Sequence, residues 1–347
     1  MLRTSLTNIN TVSAHYVGNA LNGEPLKLSA EPLALGDEQI HEMLCTYFLS
    51  NFTMPEFYSF TADEDDFTKN PMYQIADEMF RDPESFHKNS IAIAELLSSV
   101  TQNPNIKSGE VYVALIESIQ LDDFTADAIG IFKSENKENF LKLSTVQWHL
   151  QADQGINVKR LDKGCLIVNT GRDSGYKVMI VDNTNRSDTA HFWKQNFLAV
   201  KPWSDAFHHT STFMQMTQQY IEDKLGDEFA VSKADKIDLM NRSVDFFKSR
   251  EEFDKSEFET SVLGDPDVIE SFRNFGKNSM VNKEIDEIDH FEISAPAVKA
   301  TARIFKSVLK LDKNFHIYIH GGKEQIEKGY DEVTGRHYYK LYFNSES

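Results

Sequence analysis

The hydrophobic period of this chain switches three times, and the switch after Asn103-Pro104 decides its fold class. Before it, apolar residues recur at helical spacing. Gly36-Asp37 opens a run with Ile40, Met43, Leu44, Tyr47 and Phe48, the stripe of an amphipathic helix. Asn70-Pro71 and Asp82-Pro83 each place a capping side chain ahead of a proline at the first helical position, where its missing N–H is harmless. The helices behind them carry Ile75 and Met79, then Phe86, Ile93, Leu97 and Val100. After Pro104 the apolar residues come in short runs: Val111 to Ile116, Ala128 to Phe132, Leu166 to Val168 and Val178 to Val181. Polar turns such as Gln120-Leu121-Asp122-Asp123 and Thr170 to Gly175 separate them, so they read as strands at the centre of a sheet. Parallel strands need a crossover that is usually a helix, and no 10–15-residue helical pattern lies between these runs. The expectation is an α+β chain, a mainly antiparallel sheet covered by N-terminal helices.

From about Ala190 the helical period returns. Phe207, Thr210, Phe213, Met214, Thr217, Tyr220 and Ile221 share a face, as do Ile237, Met240, Val244 and Phe247. Asp254 with Glu257, and Asp265-Pro266, mark further helix starts, which predicts four short helices between about 205 and 276. A polar, acidic connection, Asn282 to Asp289, follows. Phe315 to His320 then alternates strictly, and Thr334-Gly335 forms a turn ahead of a β-rich run from Tyr338 to Phe343. Three parts follow: residues 1–200 as the α+β domain, 201–290 as a helical region, and 291–347 as a small basic unit closing in a β-hairpin.

The 347 residues, 40% hydrophobic with 25 Phe and 12 Tyr, can build a large core, so global disorder is excluded. Cys45 and Cys165 lie in apolar runs and read as buried thiols, too few for a disulfide framework or a structural zinc. The first residues lack the apolar stretch of a signal peptide and no window is long enough for a membrane span, which predicts a soluble, cytoplasmic protein.

The net charge of −18 weighs against a broad nucleic-acid-binding surface, because affinity for phosphate comes from Lys and Arg displacing counterions. The charge is unevenly spread. Residues 1–200 carry 16 basic against 27 acidic residues, residues 201–290 carry 11 against 20, and residues 291–347 carry 9 against 7. Within that last segment Lys299, Arg303, Lys306, Lys310 and Lys313 stand three and four apart, opposed only by Asp312. A helix over 297–311 puts them along one face; a strand splits them between two. The sequence allows both. They are candidate phosphate contacts, with Arg336 and Lys340 of the closing hairpin, and an ordinary solvated face is the competing reading.

Catalytic chemistry is hard to find. Asp127, Glu135 and Lys137 can be drafted as the acidic pair and lysine of a metal-dependent nuclease, a spacing that arises by chance among 54 acidic residues. His208-His209 lack the glutamate spacing of a zinc protease helix. Gly321-Gly322-Lys323 lacks the upstream glycine and the following Ser or Thr of a phosphate loop, and reads as a turn. Trp193, Phe197, Trp203 and Phe207, near Lys194 and Lys201, suit either base stacking or packing at a domain junction. No catalytic residue, metal site or cofactor is assigned.

The strand Val111 to Glu117, the segment Asp188 to Leu198, the alternating strand at Phe315 to Ile319 and the Tyr330-Asp331 to Gly335 turn together resemble the bacterial nucleoid-associated protein family of the YejK or NdpA type. The resemblance runs over most of the chain. It implies a non-enzymatic protein of the cytoplasm and nucleoid whose partner is DNA or DNA-associated machinery, such as a topoisomerase. It supplies no contact residues, so the basic cluster stands on charge alone. A homodimer is the base-rate expectation.

Overall fold

The computed structural model describes residues 7–121, 124–146, 148–184, 192–278, 289–305, 308–319 and 325–345. They form two compact units, Met1–Trp203 and Ser204–Ser347. The strands are β1 (Asn8–Val17), β2 (Tyr58–Phe60), β3 (Gly109–Leu121), β4 (Phe124–Ser134), β5 (Glu138–Ser144), β6 (His149–Gly155), β7 (Lys163–Val168), β8 (Lys177–Asp182) and β9 (Val200–Pro202) in the first unit. Seven of them make one antiparallel sheet in the order β1-β3-β4-β7-β8-β2-β9, and β5 and β6 pair with each other as a separate two-stranded sheet. The apolar runs of the sequence are the centre of that sheet, and α+β is the observed class. The edge strands β1 and β9, and β2 next to β9, are not announced by the sequence pattern; β2 and β9 are three residues each.

Three helices cover the first unit: α1 (Glu38–Leu49), α2 (Pro71–Arg81) and α3 (Phe86–Val100). Asp37 caps α1 by accepting from the Gln39 N–H, and Asn70 caps α2 by accepting from the Met72 and Tyr73 N–H groups. Two layers of core flank the sheet, one with α2 and α3 (Met72, Met79, Ile93, Leu97 against Val111, Ile129, Ile167), the other under α1 (Phe48, Leu49 against Ile116, Phe132, Leu166). Space for Phe132 exists because residues 130 and 164 are glycines: a Cβ at Gly130 would lie 2.4 Å from the Phe132 ring. The α1 stripe is only half used. Tyr47 and Phe48 are buried while Ile40 and Met43 stay exposed.

The second unit holds α4 (Ala206–Gln219), α5 (Leu225–Glu228), α6 (Lys233–Lys248), β10 (Glu252–Asp254), α7 (Lys255–Phe258), α8 (Pro266–Asn278), β11 (His290–Glu292), α9 (Ala295–Thr301), β12 (Val308–Leu311), β13 (Phe315–Tyr318), β14 (Ile326–Asp331) and β15 (Arg336–Leu341). Wider π-helical turns run on from α4 and α7, at Tyr220–Lys224 and Glu259–Leu263, so the helical region has more pieces than the four expected. The predicted caps form: Asp254 accepts from the Glu257 N–H at 2.7 Å and Asp265 from the Asp267 N–H at 2.9 Å. The core is a phenylalanine cluster centred on Phe213, whose ring lies 4.4 Å from that of Phe253 and 5.2 Å from that of Phe258. Most of the acidic connection, residues 282–288, lies outside the described residues.

Candidate nucleic-acid interface

The described basic residues of the last segment are spread over α9, the turn after it, the β12–β13 hairpin and the β14–β15 hairpin, with their side chains exposed. Ser294 caps α9 and Pro296 occupies its first turn; Ala297, Val298 and Thr301 face inward, which leaves Lys299 outside. Arg303 follows on the 3₁₀ turn Ala302–Ile304. Lys306 lies outside the described residues. The chain is then extended, because the alternating strand β13 requires a ladder partner and Val308–Leu311 supplies it. Residues 297–311 are thus helix first and strand after, and one helical face carrying five basic residues does not form. Leu309 anchors β12 in the core at 1% exposure. Lys310 points the other way, opposite His316, with Tyr318 two residues along on the same face. Lys313 is at the tip, in the loop Asp312 to Asn314, where Asp312 takes a φ of 50°.

The hairpin β14–β15 presents Arg336, Tyr338 and Lys340 on one face, opposite Asp331, Gly329 and Glu327 respectively. Tyr338 lies across Gly329, and a Cβ there would meet its ring at 2.3 Å, so the absent side chain makes the seat for the aromatic. Lys340 reaches Glu327 at 3.5 Å, which raises the lysine pKa. Glu327 is lowered, first by the hydrogen bond from the Tyr342 hydroxyl and then by Lys340. Among the described residues, the candidate contacts Lys299, Arg303, Lys310, Lys313 and Arg336 have no acidic partner within 4.0 Å, so these cations remain for an external anion. Sequence reasoning missed the aromatic part. Strand alternation from Phe315 already puts Tyr318 on the face of His316, the register of β12 makes Lys310 its diagonal neighbour, and 66% of Tyr318 is exposed.

The other candidate groupings are not assembled. Asp127 and Glu135 stand about 26 Å apart along β4 at an extended-strand rise. Asp127 instead accepts from the Ser118 N–H and pins the bulge in β3, Glu135 is buried against Lys133 at 2.9 Å, and Lys137 pairs with Glu110 at 2.5 Å. A nuclease centre on these three is therefore overturned by their separation. His208 and His209 lie in the first turn of α4, against Thr212 and Ser204, and no group of three or more potential ligands is found among the described residues. Gly321, Gly322 and Lys323 lie outside the described residues.

Cys165 is fully buried and its thiol is pushed up by desolvation; Cys45 is raised by burial and then by Glu42. Trp193 is buried, donating to the Gly164 carbonyl at 3.3 Å and packing on Phe197. Trp203 packs over Gly171 with Lys177 5.4 Å from its ring. Phe207 is buried in the second unit. No described helix is long and apolar enough to cross a membrane.

These features define an α+β protein whose exposed, unpaired cations lie beside aromatics at one end of an otherwise acidic chain. The chain belongs to the family described as nucleoid-associated protein YejK, whose family model matches residues 13–337. No curated protein matches it.

Proposed function

We propose that this protein is a non-enzymatic, cytoplasmic component of the bacterial nucleoid that touches DNA directly through Lys299, Arg303, Lys306, Lys310 and Lys313, with Arg336 and Lys340 as flanking contacts. The family supports the nucleoid association. The observation that carries direct contact is the set of exposed cations without acidic partners in the one net-basic segment of a chain of net charge −18. The acidic remainder repels phosphate and confines contact to this end. The test is fluorescence anisotropy of labelled duplex and single-stranded DNA at low and near-physiological salt, with a Lys310→Glu/Lys313→Glu variant alongside. Direct contact predicts affinity that falls steeply with salt, at a log–log slope of about −0.9 per neutralised duplex phosphate, and a shallower slope in the variant.

The same net charge favours a second reading, in which an adaptor reaches the nucleoid through a protein partner such as a topoisomerase. Absence of DNA binding by the purified protein at low salt selects that reading and removes the first.

A further inference from the structure

Between β4 and its neighbour β7 the chain leaves the sheet to form the separate hairpin β5–β6. Its root is clamped. The Asp162 carboxylate accepts from the Glu135 and Asn136 N–H groups at 2.7 and 2.8 Å and from the Asn136 side chain at 2.8 Å. Asn157 donates to Glu138 at 3.0 Å. Beyond the root no described residue covers the hairpin's apolar side chains. Leu143 pairs with Leu150 and Leu141 with Ala152, so one face reads Asn139, Leu141, Leu143, Leu150, Ala152, Gln154, with no charge on it. Val146 and Trp148 stand at the tip, and with Phe140 the six large apolar side chains are 47% to 89% exposed. An isolated two-stranded hairpin is marginal in water, and an arm of this composition calls for a cover.

The same unit carries a surface that could supply one. A groove of 390 Å³ lies at the arm's own root, lined by Ile40, Met43, Leu44 and Tyr47 of α1 with Ile156 and Val158, and its one charged lining residue is Lys137. It exists because the first half of the α1 stripe is left uncovered. An arm cannot fill the groove at its own root: seven strand residues carry the tip roughly 20 Å away.

We propose that the β5–β6 arm docks into the root groove of a second copy of this chain, each copy giving its arm and receiving the other's. A two-fold axis allows this, because the contact of arm on groove is then repeated as groove on arm and the assembly closes. The area fits. Large side chains offer roughly 150–200 Å² each, so the exposed fractions amount to on the order of 600–800 Å² per arm. That is close to the ~800 Å² per partner of a stable interface and exceeds the apolar patch usual on a monomer. This inference is independent of the DNA reading.

Sedimentation equilibrium of the full chain over the micromolar range tests it. The wild type is expected to dimerise. Leu143→Asp/Leu150→Asp in the arm, and Ile40→Asp/Met43→Asp in the groove, are each expected to weaken self-association at least tenfold. Mixing the two variants restores association beyond either alone, since one intact arm and one intact groove meet in the mixed pair; misfolded variants could not do this. In the wild type, acrylamide quenching of the fluorescence that Trp148→Phe removes should fall as concentration rises. A wild type that is monomeric throughout overturns the proposal and gives the arm to a different macromolecule. So does a dimer indifferent to either variant, or a mixture that fails to associate.

Discussion

Phe48 of α1 lies flat on Phe132 of β4, ring centroids 4.0 Å apart and planes within 6° of parallel. Both rings are fully buried. This contact fixes α1 on the sheet, and with it the wall of the root groove, since Tyr47 is the preceding residue and Leu44 lies one turn before. The sequence pays for it with two glycines, 130 and 164, which clear the space that the Phe132 ring occupies.

Replacing Phe48 with Ala removes the ring from a site with no slack. The expected cost is about 3–5 kcal/mol, the range for large aromatic truncations in a core. All three tryptophans, Trp148, Trp193 and Trp203, belong to the first unit, so their fluorescence in a urea titration reports on that unit alone. Phe48→Leu, which keeps most of the volume, should lose far less. Equal losses for the two variants would mean that the stacked geometry does not hold α1 in place.

What the sequence made legible follows from where local signals are unambiguous. The runs at Val111, Ala128, Leu166 and Val178 are buried on both faces and too short for helices, so the central strands could be read directly. The strand order could not. Tyr58 to Phe60 joins the sheet because Tyr58 pairs with Val178 and Ser59 with Lys201, each more than a hundred residues away, and no local pattern announces that. Asn70 was read as a helix cap and is one, yet its amide also donates toward the carbonyls of Thr61, Leu198 and Ala199 at 2.8 to 3.0 Å, tying together three segments. The β5–β6 arm escaped notice because Phe140-Leu141 interrupts its alternation, and a hairpin with no covered face leaves no burial pattern to detect. At the candidate interface, charge located the segment, while the division of Lys299 from Lys310 between helix and strand depended on the ladder need of β13.

A buried histidine sets an expected pH dependence. His15 is 3% exposed; its Nδ1 accepts from the Ser29 N–H at 3.2 Å, which leaves the proton on Nε2 to donate to Ser90 Oγ at 3.0 Å. Its pKa is lowered, first by desolvation and then by His87, whose ring is 6.0 Å away. The folded state therefore takes up the second proton less readily than the unfolded chain. Stability from this group is fully present above the unfolded pKa of about 6.5 and is lost as pH falls through the lowered folded value. The urea midpoint followed by tryptophan fluorescence should drop between about pH 7.5 and about pH 5.5. His15→Gln, which can accept from Ser29 and donate to Ser90 without titrating, should flatten that drop. An unchanged drop in the variant would assign the acid sensitivity to other groups.

Tyr318 tests what the proposed interface prefers to hold. It shares an open strand face with Lys310 and His316, and stands in the 66% exposed state that an aromatic needs to receive a base. A cation beside a ring suits single-stranded nucleic acid, where the phosphate is neutralised and the unpaired base stacks; a duplex offers the phosphate but keeps its bases stacked on one another. Tyr318→Ala should therefore weaken single-strand binding by about 1–3 kcal/mol, roughly five- to 150-fold, and leave duplex affinity almost unchanged. Lys310→Glu should weaken both, because the phosphate contact is common to the two. Parallel anisotropy titrations of the two variants against both DNA forms separate stacking from charge. If Tyr318→Ala leaves single-strand and duplex affinity alike untouched while Lys310→Glu lowers both, the hairpin is a phosphate contact only and its exposed aromatics serve another contact.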